Sequence, residues 1–184
     1  LSLEDFVQKV NSDLVGKLVN IASRTAGFIS KKFAGQLSSE LANPDLVEAI
    51  RAKGPDIQEA FENREFSKAT REIMALADDV NAWIAEMAPW QLAKNEATLP
   101  DVQPICTTAI NAFRLLVLYL KPVMPTLSDK VQHFLQVDRL DYESLNHTLL
   151  DHQIEAFTPL ITRIEMKDVE AMIQPEVTEI KETT

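Results

Sequence analysis

Ser2–Gly35, SLEDFVQKVNSDLVGKLVNIASRTAGFISKKFAG, is the stretch whose pattern decides the fold. Ser2 with Asp5 three residues on forms a capping pair, and the helix it opens is expected to run to about Gly35. At about 100° per residue, Phe6, Val7, Val10, Leu14, Val15, Leu18, Val19, Ile21, Ala22 and Ile29 fill a broad apolar arc. So wide an arc suits a helix packed against two neighbours rather than one. Asn11 falls inside that arc, a blemish in the pattern. The opposite stripe holds Lys9, Ser12, Asp13, Gly16, Asn20, Ser23 and Arg24. Within it Gly16, Asn20 and Arg24 stand four apart, so they form one row on the face that packing leaves free.

Working outward, the helical period continues. Asn43-Pro44-Asp45 starts a helix with Leu46, Val47 and Ile50 on its apolar side, ending near Gly54, and Pro55–Glu62 forms a second short one. From Arg64 to about Met87 a longer helix presents Phe66, Ala69, Ile73, Leu76, Val80, Trp83, Ile84 and Met87, until Pro89 breaks it. Asn95–Pro100 reads as a linker before a helix over Asp101–Leu120. Pro122 and Pro125 then interrupt ahead of Leu127–Leu135. Tyr142–Leu150 holds a turn or short helix, and Met166–Ile173 a last helix. Pro175–Thr184 is polar and reads as a tail or linker. No repeat and no long alternating run argues for a sheet. The expectation is an all-α antiparallel helical bundle over residues 1–174, with 175–184 as the tail.

Composition excludes several classes. The 184 residues include only four glycines, too few for a turn-rich sheet protein or a glycine-rich phosphate cradle. A lone cysteine, Cys106, rules out an internal disulfide framework and a cysteine-built zinc cage, and it fits a reducing compartment. The longest apolar run, Leu115–Leu120, is far short of a membrane span, and no basic-then-apolar leader opens the chain. A cytoplasmic location follows as the expectation, with no membrane and no DNA partner. Leu1 stands where a methionine would start a protein, so the chain reads as a fragment whose catalytic machinery lies elsewhere. The net charge of −10 is a poor basis for binding phosphates by electrostatics alone.

Catalytic and metal-binding patterns are nearly absent. His133, His147 and His152 match no metal-ligand spacing. Asp78 with Asp79, and Asp138 with Asp141, read as solvated faces, and Cys106 as a core thiol. Trp83 continues the apolar stripe of its helix and reads as core. Trp90 lies past that stripe, directly after Pro89, where a rigid bend can leave an indole partly exposed. By itself Trp90 still reads as a packing residue.

Two segments change that reading. Asn11–Arg24, NSDLVGKLVNIASR, resembles the first anticodon-domain helix of methionyl-tRNA synthetases, whose pattern runs N-x-[DE]-L-x-N-x-[VL]-x-N-[LI]-x-[SN]-R. Ala88–Lys94, APWQLAK, is similar to the family's A-P-W-x-x-A-K segment. Arg64–Ala69 and Tyr119–Pro125 agree in order and spacing, and the resemblance covers most of residues 3–173. It implies a helical domain that reads the CAU anticodon of methionine tRNAs. Asn20 and Arg24 match the family's anticodon-contacting asparagine and arginine, and Trp90 its base-stacking tryptophan, with Pro89 beside it. Gly16 departs from the family pattern, where many bacterial relatives carry a further asparagine. Gly16 and Lys17 are the neighbouring positions for additional RNA contact.

The resemblance further implies an ATP-using catalytic domain, often with a zinc-binding insert, whose HIGH-like and KMSKS-like signatures do not occur here. This chain is therefore expected to hold no cofactor of its own. Its expected partners are the methionine tRNA stem-loop and the parent enzyme's catalytic domain. Arg163-Ile164-Glu165 resembles the segment that returns toward that domain. A stand-alone module that docks partner helices is the rival from another class, and an anticodon domain for a different amino acid the nearer one. The former should expose apolar side chains. The latter should differ in its preference at the CAU triplet.

Overall fold

The computed structural model describes residues 13–14 and 16–158, and among these the regular secondary structure is helical, with no strand beyond one isolated bridge between Gln36 and Gln153. The helices are α1 (Gly16–Lys32), α2 (Pro44–Ala52), α3 (Gly54–Glu62), α4 (Phe66–Met87), α5 (Pro89–Leu92), α6 (Leu99–Leu120) and α7 (Pro125–Phe134), followed by a single 3-10 turn, Tyr142–Ser144. The capping pair at Ser2, the helix at Met166–Ile173, the segment Arg163–Glu165 and the tail from Pro175 lie outside the described residues.

Helix α6 is the axis of the bundle. Every residue from Ile105 to Leu120 is buried, and α1, α2, α3, α4, α5 and α7 all pack on it. By length and composition α6 is apolar enough to cross a membrane, a property the short run Leu115–Leu120 does not reveal. With 89% of its most apolar window inside the protein, it is a core helix. The linker expected at Asn95–Pro100 is shorter than its composition suggests, because Leu99 and Pro100 already belong to α6. Proline is tolerated in a first turn, where its missing N–H has no intrahelical partner to lose. For the same reason Pro125 opens α7 rather than interrupting a chain segment.

An all-buried helix must satisfy every polar group it carries. Thr107 Oγ1 accepts the Ser38 N–H at 3.0 Å, and Thr108 Oγ1 accepts that of Ala42 at 2.9 Å. Asn111 clamps Leu149 from both sides, its Oδ1 accepting the amide N–H at 2.7 Å and its Nδ2 donating to the carbonyl at 3.0 Å. The Tyr119 hydroxyl donates to the Ile50 carbonyl at 2.7 Å. Arg114, 1% exposed, donates to the carbonyls of Ser144 and His147. Burial, with Arg51 nearby, brings its pKa down to about 10, so it is still charged at neutral pH. The Asn111 and Arg114 bonds strap the irregular segment after α7 onto the bundle, while those of Thr107, Thr108 and Tyr119 hold the α1–α2 connection and α2. The strap ends against α1, where Gly35 at φ +80° accepts the Ile154 N–H at 2.9 Å. A Cβ at Gly35 would stand 2.4 Å from Gln153 Nε2 and 2.9 Å from the Ile154 carbonyl, so only glycine fits.

The broad apolar arc of the opening stretch is explained by position: α1 packs against both α6 and α4. Leu18, Ile21, Ala22, Thr25, Ala26 and Ile29 are its buried face. Trp83 is only half-buried against the core, whereas Cys106 is fully enclosed.

Burial pushes the Cys106 thiol from its ordinary 9.0 up to about 12. Above pH 9 an unfolded chain releases a proton that the folded protein keeps. The thiol's contribution is therefore complete below pH 9 and is lost as the pH rises toward 12. Between pH 8 and pH 11 wild type is expected to lose about 2 kcal/mol more stability than Cys106→Ala. Urea unfolding of both proteins at the two pH values measures this, and equal losses would contradict it.

Candidate nucleic-acid interface

The row foreseen on the free face of α1 is present. Gly16 and Asn20 are exposed and Arg24 is half-buried, one turn apart along the helix. Opposite them runs α4, and between the two helices lies an open groove of about 360 Å³ lined by Asp13, Gly16, Lys17, Asn20, Asp78 and Asn81. At the far end of α4 the chain reverses. Ala88 takes the left-handed conformation (φ 45°, ψ 61°), donates its N–H to the Ile84 carbonyl at 2.9 Å, and hands over to Pro89 at the first position of α5. A left-handed alanine costs about 1–2 kcal/mol. That strained bend, with buried Pro89 behind it, delivers Trp90 beneath α1.

Trp90 and Arg24 come together more closely than their separate readings suggest. The Arg24 guanidinium carbon lies 4.5 Å from the Trp90 ring centroid, a cation–π stack. The indole is half-buried, in keeping with the partial exposure expected at the bend, and the stack that covers one of its faces with the Arg24 guanidinium was not foreseen. A charged planar group over an indole gives up little hydration and gains the ring's negative face, so the pair assembles without any ligand.

Lys17 Nζ lies 2.8 Å from Asp78 Oδ1, so the cation is partly neutralised, and the exposed Asp78 carboxylate stands at the rim of the groove. The pair is exposed enough to contribute little to stability. Lys31 and Lys32 are exposed in the last turn of α1, where the helix dipole favours positive charge.

Asn81 is the member of the site that sequence reasoning missed. Its Nδ2 donates to the Lys17 carbonyl at 3.1 Å and the Ala77 carbonyl at 3.2 Å, and its Oδ1 accepts from Asn20 Nδ2 at 3.1 Å. No local pattern marks it, because two of its three partners, Lys17 and Asn20, lie 64 and 61 residues away on another helix. Its place on the stripe containing Lys17's partner, Asp78, three residues earlier, is the only hint.

The groove offers the amide donors and acceptors of Asn20 and Asn81, rimmed by the Asp13 and Asp78 carboxylates and the Lys17 ammonium, and one turn along α1 the Arg24–Trp90 stack adds a guanidinium and an aromatic ring. Elsewhere, His133 pairs with Glu155 at 3.2 Å on an open surface, and His152 Nε2 is 2.6 Å from the Leu135 carbonyl. Among the described residues no group of three or more histidine, cysteine or acidic side chains is arranged to hold a metal ion.

Residues 34–171 match the family described as the anticodon binding domain of methionyl tRNA ligase. The chain belongs to that family. The methionine–tRNA ligase of Psychrobacter cryohalolentis is 53% identical over 174 residues, 95% of this chain and 25% of the relative, so the chain spans about a quarter of that ligase's length. The free-state methionyl-tRNA synthetase of Mycobacterium tuberculosis shares the fold, with a TM-score of 0.74 over 86% of this chain and 34% of that one at 21% identity. The same enzyme bound by methionyl-adenylate superposes equally well, with 33% of its chain covered. The matched family span contains Asp78, Asn81, Pro89 and Trp90 but begins after α1, so Asn20 and Arg24 enter the site through geometry rather than through that match.

Gly16 tests how well the row tolerates an asparagine, the side chain that the resemblance leads one to expect there. A Cβ built at Gly16 meets no atom within 4 Å. Gly16→Asn is therefore expected to fold with stability within about 1 kcal/mol of the parent, since asparagine is the better helix former of the two. Thermal melting checks this, and a loss of several kcal/mol would show that the groove floor is closed.

Proposed function

We propose that this chain reads the CAU anticodon of methionine tRNAs as the RNA-recognising part of an enzyme that attaches methionine to tRNA with ATP. Residues 1–174 form the anticodon-binding bundle in this reading, and 175–184 a tail or linker. The observation that carries it is the convergence of three side chains from distant parts of the sequence: Asn20, Arg24 and Trp90 line one side of α1, the last two stacked at 4.5 Å. Membership of the anticodon-binding family supports it.

The chemistry suits unpaired bases. Anticodon nucleotides can be splayed out, stacked on an aromatic ring and hydrogen-bonded along their Watson–Crick edges. Trp90 supplies the platform, worth about 1–3 kcal/mol per stacked base, and Pro89 fixes the direction from which it enters. Arg24 either yields its place on the indole to a base or carries the base on its own outer face. In both geometries the two residues act as one unit. Asn20 supplies an amide edge, while Gly16 and Lys17 border the approach. The acidic surface elsewhere is no obstacle, because specific contacts in the groove do the reading, and the catalytic domain supplies most of the backbone binding.

ATP, and zinc where the insert occurs, belong to that catalytic domain, which is this bundle's second partner after the tRNA stem-loop. An aminoacylating enzyme of this kind works in the cytoplasm, without membrane or DNA partners. The alternative of a helix-docking module is disfavoured by the surface: Leu150, at 38% exposure, is the single large apolar side chain classed as exposed among the described residues.

Trp90→Ala is expected to weaken binding of a CAU stem-loop at least about tenfold, the loss of one stacked base, with the far-UV circular dichroism of the bundle unchanged. Titration by anisotropy against CAU and scrambled loops at two salt concentrations measures it. Unchanged CAU affinity in a folded variant would contradict the stacking role.

A further inference from the structure

The orientation of the Asn20 amide is set by Asn81, and the direction of that setting has a consequence for base selection. One end of the Asn81 side chain faces two carbonyl oxygens, those of Lys17 at 3.1 Å and Ala77 at 3.2 Å. A carbonyl only accepts, so the atom between them must be the nitrogen. The reverse orientation would press three oxygens together. The Asn81 oxygen therefore points at Asn20, and since that oxygen also only accepts, the Asn20 atom facing it at 3.1 Å must be its nitrogen. The Asn20 oxygen is left at the other end of the amide. Asn20 is exposed, and no described protein group donates to that oxygen.

An asparagine free on a helix surface rotates about its terminal torsion at little cost, and presents a donor or an acceptor as the ligand requires. Such a side chain discriminates poorly. Asn20 lacks that freedom, because the flipped state would lose its bond to Asn81 and set oxygen against oxygen. Gly16, one turn earlier, carries no side chain that reaches this oxygen, and open space surrounds its Cα. Lys17, whose backbone carbonyl anchors Asn81, has its ammonium held by Asp78 and does not compete for the amide.

We propose that Asn81 is a positioning residue that pins the Asn20 amide with its oxygen toward the RNA, so that Asn20 selects a base bearing an amino group on its Watson–Crick edge over the keto base of the same shape. Cytosine and adenine carry such an amino donor beside a ring-nitrogen acceptor, which complements the outward oxygen and the remaining N–H of Asn20. Uracil and hypoxanthine present a carbonyl at the same place. Of the triplet CAU, the first two bases qualify. The proposal rests on the anticodon reading above, and it assigns to Asn81 a role that touches no RNA.

The test uses the intact protein and four stem-loops: CAU, UAU with the first amino group replaced by a carbonyl, CIU with inosine for adenosine, and a scrambled loop. Wild type is expected to bind at least one keto loop about tenfold more weakly than CAU, the discrimination typical of a well-formed pair of hydrogen bonds to one base edge. In Asn81→Leu, which keeps the volume and removes both ends of the amide, that ratio is expected to fall below about threefold. Asn20→Ala should lower it equally, and the double variant no further, a coupling that a purely structural role for Asn81 would not produce. A folded Asn81→Leu protein that keeps the full ratio overturns the proposal. Should Asn81→Leu fail to fold, hydrogen exchange of the Asn20 side-chain amide in wild type decides: one proton at least about tenfold slower than in free asparagine supports the pin, and free-amide exchange of both overturns it. Wild type that prefers CAU to the scrambled loop but ignores both amino-to-keto changes overturns this proposal alone. Wild type that fails to prefer CAU overturns the anticodon reading itself, and the proposal with it.

Discussion

A helix without a polar face has nowhere to lie but the centre, and α6 imposes that condition on everything around it. With Ile105 to Leu120 wholly enclosed, neighbours are needed on all sides, and the described helices supply them. Burial on this scale also removes water from Thr107, Thr108, Asn111, Arg114 and Tyr119. Each must then find a protein partner, and most of those partners are backbone groups in irregular segments. The axis therefore holds the connections as well as the helices. Arg114 is the extreme case, a guanidinium held by carbonyl dipoles, with no carboxylate among the described residues bonded to it.

The binding face follows from the same condition. Because α1 must cover α6 and meet α4 at once, the face carrying Leu18, Ile21, Ala22, Thr25, Ala26 and Ile29 is buried, and a row on the far side is left toward solvent. Gly16, Asn20 and Arg24 occupy that row. The second helix of the groove, α4, ends at the left-handed Ala88 directly before Pro89, and the reversal carries Trp90 to the Arg24 end of the row. Rigid elements thus fix both sides of the site, which allows a small set of polar contacts to discriminate between bases.

Much of this was legible in the sequence, for physical reasons. Proline and asparagine mark helix starts by removing or capping orphan N–H groups, and α2 shows this, with the Asn43 side chain accepting the Leu46 N–H at 3.1 Å. The 3.6-residue period located α1 and α4, and the breadth of α1's apolar arc foretold two packing partners. Asn20, Arg24, Pro89 and Trp90 were marked by local motifs. What could not be read were pairings across long stretches of chain: Lys17 with Asp78 and Asn20 with Asn81, each 61 residues apart, and Arg24 with Trp90. Periodicity assigns a residue to a face but says nothing of which face it meets. For that reason neither the ion pair of Lys17 with Asp78 nor the stack of Arg24 on Trp90 was foreseen.

The most direct measure of the central claim, that α1, α4 and the bend at Pro89 form one RNA-reading surface, is chemical-shift mapping of isotope-labelled protein with a CAU stem-loop. The account predicts the largest changes at the Asn20 and Asn81 side-chain amides and the Trp90 indole N–H, with α2, α3 and α7 silent. Changes centred on the acidic helices α2 and α3, or on the open surface around His133 and Glu155, with these three signals unmoved, would contradict it.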